Sequence, residues 1–364
     1  MEHPAPLRLD VGTPSRAYPV LIGPGTLAGL GRVLDDAGVG SKRFVVSNPT
    51  VWGHWGAAMH EALPDAEVVM VPDGERHKTL QTVTRIYDGL LRGGADRSAG
   101  IVTFGGGVVG DMAGFAAATY MRGIALAHVP TTLLAQVDAA IGGKVGVNLP
   151  GGKNLVGSFY QPWAVVVDPS FLTTLHRREF RAGLYEVIKY GIACDGGLFA
   201  RIRQHLGPIS KRNVTALGPI IADCCRIKAA VVAADEHEAG ARRALNFGHT
   251  VGHALESATQ YRRFLHGEAV ACGMQASCAI AVARGVLSAG DQSTIEAVIA
   301  QLGPLPPMRD LSAATLIEHM RRDKKVVDGR LHFVLPTSLG SASIVTDVSE
   351  RELADALRGR GLSA

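Results

Sequence analysis

The feature that most constrains this chain is the rhythm of its first half. Short, nearly continuous apolar runs recur between amphipathic stretches: Phe44–Ser47, Glu67–Pro72, Ala99–Phe104, Ala125–Pro130 and Ala164–Asp168. Runs of that kind suit strands covered on both faces. Between two of them, Lys78–Arg92 carries Leu80, Val83, Ile86, Tyr87 and Leu90 at helical spacing. The reading is an open α/β sheet with helices on its faces. After about residue 175 the rhythm changes. Arg178–Ile192, Val214–Ala234, Asn246–Ala258, Gly267–Val286 and Ala289–Leu302 read as helices, and Pro304, Pro306 and Pro307 mark a linker. The expected boundary lies near His176. It separates an α/β domain over 1–176 from a mostly α-helical domain over 177–364.

Composition narrows the function classes. Hydrophobic residues make up 47% and charged residues 19%, which leaves ample apolar surface for a core and excludes a disordered chain. Aromatics are only 5%, too few for a base-stacking platform. A net charge of +4 is a mild bias towards anions and no basic stripe, so nucleic acid is not the expected partner. The longest stretch without Asp, Glu, Lys or Arg, Phe44 to His60, holds Asn48, Pro49 and His54 and is no membrane span. The opening MEHPAPLRLD has no apolar run after a basic patch, so a cytoplasmic protein is expected. Five cysteines without a CxxC argue against a disulfide framework or a cysteine-built zinc site.

Four motifs carry chemistry. Gly105-Gly106-Gly107-Val108-Val109-Gly110-Asp111 follows a predicted strand and opens a predicted helix. Glycines there let backbone approach a pyrophosphate at a helix N-terminus, which makes the sheet Rossmann-like and mostly parallel. The acidic residue that usually follows some twenty positions on is missing, so the fingerprint is partial. The segment Ile141–Gly157 holds two Gly-Gly-Lys triplets, with Lys144, Lys153 and Asn154. It fails the P-loop pattern but suits anion binding by backbone N–H groups and ammonium heads; a glycine-rich hairpin is the plain alternative. His249 and His253 stand at i, i+4 on one helix face, Glu256 continues that stripe, and His266 begins the next helix. A metal would take His249 with His253 or His249 with His266, and spacing alone favours the first pair. Finally, Glu186 and Lys189 read locally as a surface ion pair. Asp73 and Glu75 stand beside Lys78, and Lys78, Arg122, Lys228, Arg242 and the run Arg321–Lys325 supply basic groups available to an anionic substrate.

Taken in order, these stretches resemble the 3-dehydroquinate synthase family. The matches are Asp73–Lys78, Gly105–Asp111, ATYMRG (Ala118–Gly123), Pro130–Asn148 and GKNLVGSFYQP (Gly152–Pro162). They continue with AGLYEVIKYG (Ala182–Gly191), DEHE (Asp235–Glu238), RRALNFGHTVGHALE (Arg242–Glu256), HGEAVACGM (His266–Met274) and DKK (Asp323–Lys325). The resemblance implies an NAD-binding first domain, a helical second domain and an active site between them. It implies a divalent metal, zinc or cobalt, on Glu186, His249 and His266, which displaces the spacing-based choice of His253. NAD contacts carry over to Asp73, Glu75, Lys78, Gly107, Val108, Val109, Gly110, Asp111, Thr131, Thr132, Asp138, Lys144, Lys153 and the turn Phe171, Leu172, Thr173, Thr174. Substrate contacts carry over to Arg122, Lys144, Asn154, Lys189, Lys228, Arg242, Asn246, His253 and Lys324. Arg122 would reach a neighbouring subunit, so a homodimer is implied. Tyr185 departs from the family pattern, which has a small residue before the glutamate. Rival readings are a valiolone- or inosose-type cyclase, whose substrate lacks a carboxylate for Lys228 and Arg242, a metal-dependent polyol dehydrogenase, and a non-catalytic NAD- or phosphate-sensing module.

Overall fold

The computed structural model describes residues 6–238, 240–321, 326–327 and 330–363. The chain divides into two compact units. The first comprises Met1–His176 and Arg212–His237, the second Arg177–Lys211 and Glu238–Ala364. The sequence reading placed all of 177–364 in one domain. The helix Val214–Ala234 instead joins the first unit. It packs on the turn Ala135–Ala139, where the Cys225 thiol donates to the Gln136 carbonyl at 3.3 Å. Just past its end, the buried Glu236 carboxylate accepts hydrogen bonds from Thr13, Ser15 and Gln161, so the chain is pinned there as well.

The first unit is built on nine strands: β1 (Leu7–Gly12), β2 (Ala17–Ile22), β3 (Arg43–Ser47), β4 (Glu67–Met70), β5 (Gly100–Gly105), β6 (Ala125–Pro130), β7 (Lys144–Leu149), β8 (Gly152–Phe159) and β9 (Ala164–Val167). Seven form one sheet in the order β1-β2-β9-β6-β5-β3-β4, while β7 and β8 make a separate hairpin. Every pairing in the sheet is parallel except β1 with β2. The apolar runs are continuous because alternate residues enter different cores. Phe44, Val46 and Ile101 join Val83, Ile86 and Met112 in one core; Val45, Val102 and Phe104 join Leu30, Leu34 and Met59 in the other. The β1–β2 hairpin escaped the sequence reading because β1 is an edge strand, exposed along most of its length.

The chain runs from β3 outward to β4, then returns across β3 to β5. That reversal is the topological switch point, where open α/β sheets bind ligands beyond the carboxyl ends of their strands. The glycine loop after β5 lies at that position.

The second unit is mostly helical, with a small hairpin, Phe333–Ser338 and Ser341–Val345, that the sequence reading did not include. Its central helices are Arg177–Ala193, His249–Ala258 and His266–Ala283. Two glycines allow them to pack backbone to backbone. A Cβ on Gly267 would lie 1.9 Å from the Ala182 carbonyl oxygen. Gly248, at φ +79, ends the approach to the His249 helix in a conformation that favours glycine, and a Cβ there would strike the Val270 carbonyl oxygen at 2.6 Å. Among the described residues, no helix is long and apolar enough to cross a membrane.

Candidate active site

In the first unit, the helix Gly107–Thr119 starts directly after the glycine loop, and no side chain caps it. Its first N–H groups therefore lack a side-chain acceptor, which is the arrangement a phosphate uses. Gly106 must be a glycine for contact reasons, since a Cβ would meet Thr132 at 2.8 Å. Beside this loop lies a polar network. The buried Lys78 ammonium donates to Asp111 and to Asn154 Oδ1, the latter at 2.5 Å. Asn148 donates to Glu75 at 2.8 Å, and the Asn154 N–H donates back to Asn148 at 2.8 Å. Lys153 stands 3.9 Å from Glu75, and Asn48 donates to Asp73 at 3.3 Å. Burial pushes the Asp111 carboxyl above its ordinary range, and the Lys78 ammonium reverses this only in part. Glu75, Lys78, Asp111, Lys153 and Asn154 are thus brought together from three separated segments, and Asp73 lies beside them in the chain. Asn148 belongs to this network and Asn48 holds Asp73; neither was foreseen as a contact, although Asn148 ends the matched stretch Pro130–Asn148.

Other expected contacts are placed less simply. Asp138 pairs with Lys228, which lowers the availability of each to a ligand. Thr131 donates its N–H to the Gly105 carbonyl at 2.9 Å, and its buried hydroxyl has no hydrogen-bond partner. The side chains of Phe171 and Leu172 are core; Phe171 meets Trp55 and Phe104 edge-on. Only the backbone of that turn, with the exposed Thr173 and Thr174, is left to face a ligand. Lys144 opens β7 with its side chain exposed, so the second motif is a hairpin that presents lysines. Met121 and Arg122 both take positive φ, +49 and +68, on an exposed turn. Lys324 lies outside the described residues.

In the second unit, three helices converge on one point. Glu186 comes from the middle of Arg177–Ala193, His249 from the start of the second helix, and His266 from the start of the third. Their ligand atoms all lie within 4.8 Å of one another. His249 Nε2 is 4.0 Å and His266 Nε2 3.9 Å from Glu186 Oε1. The opposite ring nitrogens are engaged: His249 Nδ1 with the Phe247 carbonyl at 3.1 Å, His266 Nδ1 with the Glu256 carboxylate at 3.1 Å. With Nδ1–H donating, each Nε2 holds its lone pair towards the others, the orientation of a metal-bound histidine. Glu186 Oε1 is fully buried and accepts no hydrogen bond, while Oε2 accepts from Lys189 at 2.5 Å. Lys189 balances the charge of this carboxylate, but its second buried oxygen is left without a donor, an arrangement that a metal ion would complete. The donor set, one carboxylate oxygen and two imidazoles, fits zinc or cobalt.

This geometry corrects two readings. The i, i+4 pair His249 and His253 is not joined in either candidate metal cluster among the described residues; His253 groups only with Glu256 and His266. The Glu186–Lys189 pair is no surface ion pair, since both side chains are almost wholly buried. Glu256 was read only as part of a stripe and proves to be the partner that orients His266. Arg242 is among the largest fully buried side chains, and Asn246 donates to Glu238 at 2.8 Å. Tyr185, the neighbour of Glu186, is fully buried with no partner for its hydroxyl, and burial pushes its phenol up to about 12.

Residues 68–182 match the family model described as 3-dehydroquinate synthase N-terminal, and residues 183–326 match its C-terminal counterpart. A 3-dehydroquinate synthase of Gloeobacter violaceus is 48% identical over 362 residues, covering 97% of this chain and 100% of the relative. Among solved structures, a 2-epi-5-epi-valiolone synthase from Streptomyces hygroscopicus with NAD+ and Zn2+ bound superposes with a TM-score of 0.85 at 30% identity. It covers 94% of this chain and 96% of its own. A 2-deoxy-scyllo-inosose synthase complexed with carbaglucose-6-phosphate, NAD+ and Co2+ gives 0.86 at 27% identity, covering 97% and 100%.

Proposed function

We infer that this chain, which belongs to the 3-dehydroquinate synthase family, converts 3-deoxy-D-arabino-heptulosonate 7-phosphate into 3-dehydroquinate and inorganic phosphate. On this reading it is a phosphate-eliminating lyase of aromatic biosynthesis. The observation that carries the chemistry is the convergence of His249 Nε2 and His266 Nε2 on the orphaned oxygen of Glu186.

Glu186, His249 and His266 would hold one divalent cation, and the glycine loop with Asp73, Glu75, Lys78 and Asp111 would hold NAD. When bound, the cation supplies Lewis-acid polarisation of a substrate hydroxyl, and NAD takes up and returns one hydride within a turnover, so that the adjacent C–H is acidic while phosphate leaves. The chain's own side chains do the rest. Lys189, buried against Glu186, holds that carboxylate in its alignment. Glu256 and the Phe247 carbonyl keep both imidazoles in the tautomer that presents Nε2. Lys144, Asn154, His253 and Lys324 would surround the substrate phosphate, with Arg122 contributed by a second copy in a homodimer. Lys228 and Arg242 would grip the substrate carboxylate; the guanidinium fork suits its two oxygens. Two anionic ends held in this way fix the reacting carbon between them. On this reading the enzyme acts in the cytoplasm.

The test is phosphate release from the heptulosonate phosphate with no net NADH, abolished by a chelator and restored by zinc. Steady NADH formation on glycerol would favour a polyol dehydrogenase. Faster turnover of a heptulose phosphate that lacks the carboxylate would favour a valiolone-type cyclase.

A further inference from the structure

Glu268 stands two residues beyond the metal ligand His266 and is not itself placed to bind an ion there. Its carboxylate is nevertheless fully buried and fully saturated. Arg178 lays a guanidinium fork across both oxygens, Nε to Oε1 at 2.8 Å and Nη2 to Oε2 at 2.7 Å. Arg181 donates to Oε1 at 3.1 Å, and the Leu265 N–H donates to Oε2 at 3.0 Å. Four donors fill the acceptor capacity of one carboxylate. Both arginines belong to the first turns of the helix that carries Glu186, whereas Glu268 belongs to the helix that carries His266.

Arg178 does more than pair with Glu268. Its Nη2 also donates to the Arg263 carbonyl at 2.6 Å. One guanidinium therefore holds the chain at Arg263 before His266 and at Glu268 after it, and so brackets the ligand on both sides. Between these holds, Gly267 rests on the Ala182 carbonyl, one helical turn ahead of Glu186. A bidentate arginine–carboxylate contact fixes angle as well as distance, so the two helices are locked in orientation where they deliver their ligands. Within its own helix Glu268 needs only the Leu265 N–H, which it accepts as a capping-box residue; the two arginines come from the other helix and are not part of that cap.

We propose that Glu268 is a positioning residue for the metal centre: through Arg178 and Arg181 it sets the spacing of Glu186 and His266 and thereby governs how tightly the cation is retained. The proposal rests on Glu186, His249 and His266 being a metal site. Outer partners of metal ligands change affinity by roughly 10–100-fold, and a partner that acts through helix placement belongs at the lower end.

The experiment uses the full-length protein loaded with zinc. Zinc transfer to a chromogenic chelator gives the off-rate, and competition gives the affinity, both measured well below the melting temperature. Glu268→Gln keeps the size of the side chain but turns an amide towards two guanidinium groups. It should release zinc about tenfold faster and bind it about tenfold more weakly. Arg178→Lys, a cation without the fork, should fall between the two. The cobalt-loaded Glu268→Gln protein should show an altered visible absorption band. Glu352→Gln, which removes the Arg284–Glu352 pair elsewhere in the same unit, should lower the melting temperature without changing zinc affinity. Wild-type zinc affinity and cobalt spectrum in Glu268→Gln would overturn the proposal, whatever happens to its melting temperature. Failure of the wild-type chain itself to take up zinc would overturn the metal-site reading first, and this proposal with it.

Discussion

The two polar clusters of this molecule are resolved in opposite ways. In the first unit, Lys78, Asp111 and Asn154 satisfy one another, and Asn148, Glu75 and Lys153 extend the same network. In the second, two imidazole nitrogens and a carboxylate oxygen face each other at 3.9 to 4.0 Å, and the carboxylate oxygen has no donor. The first cluster is stable as protein alone and must yield some of its bonds to a ligand. The second leaves one carboxylate oxygen without a donor although Lys189 pairs with the other. A site that is satisfied by itself contributes to the fold, whereas one that keeps a buried polar atom unsatisfied gives up stability.

The largest expected effects separate these cases. His249→Ala should reduce turnover and zinc affinity by more than the roughly 100-fold that loss of an outer partner brings. The metal-free variant should lose only what the Phe247 hydrogen bond and the ring contacts contribute, about 1 kcal/mol, because the substitution removes no hydrogen-bond donor of the buried Glu186 oxygen. Lys78→Met should do the reverse in the first unit. It leaves Asp111 without its ammonium, and breaking a buried pair costs about 3 kcal/mol. Its loss should therefore show in denaturant unfolding without any ligand. Equal destabilisation of the two metal-free variants would remove the distinction between the clusters.

The same contrast decides what was legible in the sequence. The sheet was read from β3, β5, β6 and β9 because burial on both faces writes a continuous apolar run. The edge strand β1 writes no such run. The metal ligands are a different matter. His249 and His253 share a helix face, so spacing pointed to them as the chelate. The candidate set that converges on Glu186 takes one side chain from each of three helices, and no local spacing encodes that. Only the ordered resemblance along the chain identified Glu186, whose pairing with Lys189 reads locally as a solvated surface contact. Glu256 and Glu268 act through hydrogen bonds across helices, which sequence alone does not display. The assignment of Val214–Ala234 to the first unit was invisible for the same reason.

A second test concerns the buried polar groups near each cluster. Under the glycine loop, His128 is buried with its Nδ1 2.8 Å from the Thr103 hydroxyl, and burial pushes its imidazole down to about 4. The unfolded chain titrates near 6.5. Between those values the unfolded state binds a proton that the folded state refuses. Stability from this group is therefore intact above pH 6.5 and declines as pH falls towards 4, by about 3 kcal/mol in all. His128→Gln should flatten that part of the stability profile when unfolding is followed by urea titration at several pH values. An unchanged slope between pH 6.5 and 4 would show that the imidazole charges freely where it stands.

The smallest effect is expected beside Glu186. Tyr185 is fully buried and its hydroxyl has no hydrogen-bond partner, unlike His128, whose ring nitrogen is engaged. An unsatisfied buried hydroxyl costs about 1 kcal/mol or more. Tyr185→Phe deletes only that oxygen and leaves the ring packing in place. The variant should therefore unfold at a slightly higher temperature than the parent, with zinc affinity and turnover unchanged, since the ring rather than the hydroxyl fills the space next to the ligand. The equivalent deletion under the glycine loop, Thr103→Val, removes the partner of His128 and should be destabilising. Opposite signs for these two conservative changes would confirm that the Thr103 hydroxyl under the glycine loop is paired and that the Tyr185 hydroxyl beside Glu186 is not. A loss of stability in Tyr185→Phe would mean that the phenol is satisfied after all, and the contrast between the two regions would then be confined to the carboxylate of Glu186.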